Sequence, residues 1–119
     1  MKQIASLVSG SGTNAQKIIE HFANSDKANI SVVISDNSSA YALTRAQNLG
    51  IEALALSRAD FRNGARPLAE LLKRNIDLVI LAGFLSLVPK SLIEAYPDRI
   101  INIHPALLPK FGGKGMLLL

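Results

Sequence analysis

Ile4-Ala5-Ser6-Leu7-Val8-Ser9-Gly10-Ser11-Gly12-Thr13-Asn14-Ala15 begins three residues into the chain, and the architecture follows from it. Residues 4–8 are a short apolar run, the length of a buried strand. A glycine turn follows, and residues 15–23 then carry helix formers with Ile18, Ile19 and Phe22 on one helical face. The backbone N–H groups and dipole of such a helix start favour an anion. Residues 10–15 formally fit G-x-G-x-x-A, with Asp36 in the place of a ribose-binding acid, which would support a dinucleotide. Asp36 also begins an Asp-Asn-Ser-Ser turn, where Asp is common for capping alone. The hydroxyls of Ser9, Ser11 and Thr13 and the amide of Asn14 suit a single phosphate group. A phosphate monoester, a dinucleotide, or a tight turn that binds nothing are the three readings of this loop.

The same alternation runs down the chain. Residues 29–35 predict a second strand. Residues 41–49 predict a helix closed by Gly50, and residues 51–56 a third strand. A helix is expected within residues 60–74, starting near Pro67. Residues 76–82 predict a fourth strand, and Pro89 opens a short helix through residue 96. Residues 99–103 predict a fifth strand. The strand segments are continuous apolar runs, as in a parallel sheet covered on both faces. The expected fold is therefore α/β: a doubly wound, mostly parallel, Rossmann-like sheet with helices on both faces. Loops 10–14 and 83–88 are expected at its carboxyl edge.

At 119 residues, 49% hydrophobic and 18% charged, the chain is expected to form one domain over residues 1–119. The absence of cysteine excludes disulfides and thiolate metal sites. No apolar run approaches the roughly 20 residues of a membrane span. A cytoplasmic protein without a membrane partner is expected. The net charge of +4 is scattered and aromatics are few, which argues against nucleic acid and for anionic small molecules.

Near the end stands Ile101-Asn102-Ile103-His104-Pro105. On a strand, positions i and i+2 share a face. Asn102 and His104 would then project together: an amide donor for a developing oxyanion beside an imidazole for a proton in transit. The other histidine, His21, stands in a helix-like stretch without such company.

This segment, with Gly12-Thr13-Asn14 and Leu81-Ala82-Gly83-Phe84, resembles the folate-dependent formyltransferases over nearly the whole chain. The resemblance is greatest to members that formylate glycinamide ribonucleotide. It implies that Asn102 and His104 are catalytic and that Gly12, Thr13 and Asn14 hold the substrate phosphate. Backbone groups of Leu85, Ser86, Leu87 and Val88, with Asn102, would line the folate pocket. It also implies 10-formyltetrahydrofolate as co-substrate, no metal, and a monomer or homodimer. One of Arg58, Arg62 and Arg66 falls where relatives place a basic side chain near the folate. Relatives continue for several dozen residues and support the His with a later Asp, whereas no carboxylate follows Asp98 here. The resemblance thus implies a truncated domain with weak ribonucleotide binding and negligible formyl transfer. An NAD(P)-dependent oxidoreductase, another folate-dependent formyltransferase, a formyltetrahydrofolate hydrolase and a non-catalytic binding module are the alternatives.

Overall fold

The computed structural model describes residues 1–103 and 116–118. Five parallel strands run β1 (Lys2–Val8), β2 (Ala28–Ser35), β3 (Glu52–Ala55), β4 (Leu78–Ala82) and β5 (Ile100–Ile103). A short β6 (Met116–Leu118) pairs antiparallel with β5. The sheet order is β3-β2-β1-β4-β5-β6. The sheet is mostly parallel, as the apolar runs predict. The antiparallel strand at residues 116–118 was not expected, because three apolar residues carry no readable period.

Both faces are buried, which is why the strands read as unbroken apolar runs. In β1, Ile4 and Val8 face one core, while Ala5 and Leu7 face the other. The first core is closed by Ala15, Ile18 and Ile19 of α1 (Thr13–Phe22) and by Ala42 and Ala46 of α2 (Tyr41–Asn48). The second is closed by Phe61 of α3 (Arg58–Asn63), Leu71 of α4 (Ala65–Lys73) and Leu92 of α5 (Lys90–Ala95). With α1 and α2 on one face and α3, α4 and α5 on the other, the sheet is doubly wound.

Two element boundaries depart from the sequence reading. The helix expected near Pro67 begins at Ala65 and is preceded by a separate helix, α3. Ser57 caps α3: its hydroxyl accepts from the Asp60 N–H at 3.0 Å, and the Asp60 carboxylate accepts from the Ser57 N–H at 3.1 Å. Gly64, at φ +86°, turns the chain from α3 into α4. The Asp36 turn supplies no helix cap either, since Ala40 occupies the cap position of α2 and no side chain bonds there.

Candidate functional site

The strand order reverses between β1 and β4, so the loops after these strands meet at the carboxyl edge, where open α/β sheets bind ligands. Ser9 joins them. Its N–H donates to the Gly83 carbonyl at 3.2 Å, and its Oγ accepts from the Leu85 N–H at 2.8 Å. Loops 10–14 and 83–88 therefore lie side by side, both at the carboxyl edge that the sequence reading expects for them.

Gly12 ends the first loop at φ +80° and caps α1 with no side-chain hydrogen bond. Its carbonyl accepts from the Gln16 N–H at 2.8 Å, starting the helix. Thr13 and Asn14 are the first two residues of α1, where backbone N–H groups have no intrahelical acceptor. The loop leans on α2: the Gly10 carbonyl accepts from the Ala42 N–H at 3.2 Å. Arg45 of α2 donates from Nε to the Ser11 carbonyl at 2.7 Å and from Nη1 to Gln16 Oε1 at 2.8 Å. A cleft of about 190 Å³ beside the loop is lined by Thr13, Gln16, Lys17, Glu20 and Arg45. Its wall holds two cations and one carboxylate, a net positive charge in keeping with the bias of the helix start toward an anion.

In the second loop, Leu85 and Leu87 project outward, 80% and 90% exposed, while Ser86 turns in and donates to Asp36. That alternation offers apolar side chains to a ligand and fixes the loop from beneath. A cavity of about 420 Å³ lies between Leu87, Val88 and Pro89 on one side and Arg58, Phe61 and Arg62 on the other. Apolar walls with two guanidinium groups fit a flat ring carrying an anionic tail. Arg66 instead approaches Asp60 at 3.7 Å. Asp36 is itself buried, with Arg58 Nε 3.9 Å from its Oδ2.

Asn102 lies on β5 in register with Leu81, in a row that continues through Leu7, Ile34 and Leu54. It is the one amide in an otherwise apolar row, one step from the carboxyl edge. Asp98, with φ +59°, precedes β5 at the opposite edge. His104 lies outside the described residues.

The formyl transferase family model matches residues 2–117. The chain belongs to the formyl transferase family. It is 38% identical to the chloroplastic phosphoribosylglycinamide formyltransferase of Arabidopsis thaliana, over 97% of this chain and 41% of that protein. With the phosphoribosylglycinamide formyltransferase of Haemophilus influenzae it shares 37% identity, over 95% of this chain and 56% of the relative. The crystal structure of glycinamide ribonucleotide transformylase 1 from Symbiobacterium toebii superposes with a TM-score of 0.82 at 41% identity. That match covers 96% of this chain and 56% of the other. The chain thus spans about half the length of the relatives it matches.

Within this formyl transferase fold, Gly12, Thr13 and Asn14 share one loop and helix start, and Leu85, Ser86, Leu87 and Val88 share the neighbouring loop. Of the three candidate arginines, Arg58 and Arg62 line the cavity beside that second loop. One contributor escaped sequence reasoning and another was read for a different role. Arg45 carries no local signal, and its Ser11 contact is 34 residues away. Asp36 reads as a turn residue or a ribose-binding acid, whereas its contact is Ser86, 50 residues away. Only the fold brings either pair together. Among the described residues, no group of three or more His, Cys, Asp or Glu side chains is placed to hold a metal ion. Among the same residues, no helix is long and apolar enough to cross a membrane.

Proposed function

We propose that this chain carries the ribonucleotide loop and part of the folate pocket of a cytoplasmic enzyme of purine synthesis. The enzyme moves a formyl group from 10-formyltetrahydrofolate to the amine of glycinamide ribonucleotide. The observation that carries the reading is the Ser9 junction, which sets a hydroxyl-rich, anion-favouring loop directly beside an apolar loop with a cavity of about 420 Å³. A phosphate-bearing amine and a flat formyl donor then approach one another at one sheet edge.

In this reading the amine nitrogen forms a bond to the formyl carbon, the bond from that carbon to the folate nitrogen breaks, and the amine proton passes to the leaving nitrogen. Asn102 donates a hydrogen bond to the oxyanion that develops on the formyl oxygen. His104 stabilises the same charge and carries the proton. Gly12, Thr13 and Asn14 hold the phosphate away from the reacting centre. Backbone groups of Leu85, Ser86, Leu87 and Val88 hold the ring, and Arg58 and Arg62 face its anionic tail. The names of the relatives support the acceptor, and the cavity chemistry supports a donor of the folate class.

A dinucleotide is disfavoured by Asp36. Its side chain is fully covered: one oxygen accepts from Ser86 and the other is buried without a partner among the described residues, so ribose hydroxyls reach neither.

The reading is tested by amide-resolved titration with glycinamide ribonucleotide, with a folate analogue and with NADH. The ribonucleotide is expected to shift the amides of residues 10–15, and the folate analogue those of residues 85–88. Saturable NADH binding through residues 9–14 would overturn it. In formyl-transfer assays of the whole enzyme to which this chain would contribute these loops, Asn102→Ala is expected to lower turnover about 100- to 1000-fold with ribonucleotide affinity unchanged. Near-normal turnover would remove Asn102 from the chemistry.

A further inference from the structure

An anion-binding backbone loop works only if its carbonyl dipoles point away from the ligand, because each carbonyl oxygen facing a phosphate repels it. Three carbonyls of the glycine loop are tied down: that of Gly12 starts α1, and the other two are held by α2. The Gly10 carbonyl takes the Ala42 N–H at 3.2 Å, and the Ser11 carbonyl takes Arg45 Nε at 2.7 Å. The Arg45 guanidinium is fixed on two further sides: Nη1 bonds Gln16 Oε1 at 2.8 Å, and its carbon stands 4.9 Å from the centre of the Tyr41 ring. Gln16 belongs to the first turn of α1, so this one side chain spans loop, α1 and α2. A solvated helix charge would show no such set of partners. The same residue walls the cleft of about 190 Å³ that Thr13 also lines.

We propose that Arg45 is the positioning residue of the phosphate loop. By holding the Ser11 carbonyl against α2, it turns the N–H groups of Gly12, Thr13 and Asn14 outward toward a phosphate monoester. The inference rests on the phosphate reading of this loop and adds to it the device that shapes the loop. It acts through geometry. The guanidinium fork reaches Ser11 and Gln16 together while lying against Tyr41, and a lysine ammonium has neither the fork nor the plane to do so.

The test uses the full chain, with ribose 5-phosphate as the probe and the backbone amides of residues 10–16 as reporters. In the wild type, Gly12, Thr13 and Asn14 are expected to shift on titration. Arg45→Met, checked for folding by its thermal transition, is expected to weaken the probe about 10- to 100-fold, the range for losing a charged hydrogen bond. Most of that loss is expected to persist at about 1 M salt, where charges are screened beyond about 3 Å. Arg45→Lys is expected to recover only a minor part. If the wild-type loop amides ignore the probe, the phosphate reading and this inference fall together. If the wild type responds and a folded Arg45→Met binds equally well, the inference alone falls. Full recovery by Arg45→Lys would also overturn it, because charge without the fork would then suffice. Should Arg45→Met not fold, Arg45→Lys decides by the same criterion.

Discussion

A methyl group on Gly12 would lie 2.5 Å from the Cβ of Ala42 and 2.6 Å from its Cα, with the backbone at φ +80°. Neither neighbour is a flexible side-chain end, so α2 or the loop must move. Gly12→Ala and Gly12→Val are therefore expected to destabilise the fold by about 1–3 kcal/mol or more, read as a lower urea midpoint. An unchanged midpoint would mean that α2 does not press on the loop. The glycine is accordingly a packing requirement as well as a candidate phosphate contact, and a lost affinity in Gly12→Val cannot by itself assign the phosphate. Tyr96 presents the opposite case. It is 5% exposed and its hydroxyl has no hydrogen-bond partner among the described residues. Burial, then the charge of Asp77, pushes its pKa above the usual phenol range. Tyr96→Phe removes the unsatisfied group and is expected to leave stability equal or up to about 1 kcal/mol higher in urea titration. A marked loss would reveal a partner for the hydroxyl. Residue types and local order made Gly12 legible in the sequence. The orphan hydroxyl of Tyr96 was not, because unmade hydrogen bonds leave no local signature.

Arg74 links the elements at the opposite side of the sheet. Its Nε donates to Glu52 at the start of β3 at 2.9 Å, and its Nη1 donates to the Glu70 carboxylate of α4 at 2.7 Å. These hydrogen bonds, opposed by desolvation and assisted by the nearby positive charges, hold both carboxyl groups below the usual carboxylate range. A depressed folded-state pKa contributes stability above the unfolded value of about 4.5, and that contribution disappears as pH falls through the folded value. Glu52 is half exposed, which limits the gain. Arg74→Met is expected to cost about 1–2 kcal/mol at neutral pH, and the gap to wild type should close as the solution is acidified below about pH 4.5. A gap that stays constant with pH would mean that the arginine acts through packing of its stem. At this level the sequence was readable where period and punctuation agreed. Gly50 closed α2 as expected, with φ +75° just past its end. The helix α3 was missed although Ser57-x-x-Asp60 is a capping signature, since only six residues lie between Ser57 and Gly64 and so short a helix gives little period. The strand at residues 116–118 is defined by its antiparallel partner β5 and not by its own pattern.

The sheet order sets the two candidate sites beside one another. With β1 and β4 adjacent and their helices on opposite faces, the loops that follow them are joined by two hydrogen bonds at Ser9. Its hydroxyl is buried and accepts the Leu85 N–H, so Ser9→Ala leaves that N–H without its acceptor, at a cost of about 1–3 kcal/mol if water does not replace it. The cost falls on the second loop, because the Ser9 N–H to Gly83 carbonyl bond is made by backbone and survives the substitution. The Asp36 to Ser86 contact survives as well and keeps the loop attached to the end of β2. Ser9→Ala is therefore expected to leave the fold intact while amide exchange at Leu85 quickens about tenfold or more, measured by hydrogen exchange with NMR detection. In the wild type, a ligand that orders residues 10–14 is expected to shift Leu85 and Ser86 through this bond, and Ser9→Ala should abolish that remote shift while retaining the local one. If Leu85 exchange is unchanged in Ser9→Ala, or the remote shift persists, the two loops are coupled by another route and the junction at Ser9 is only a contact.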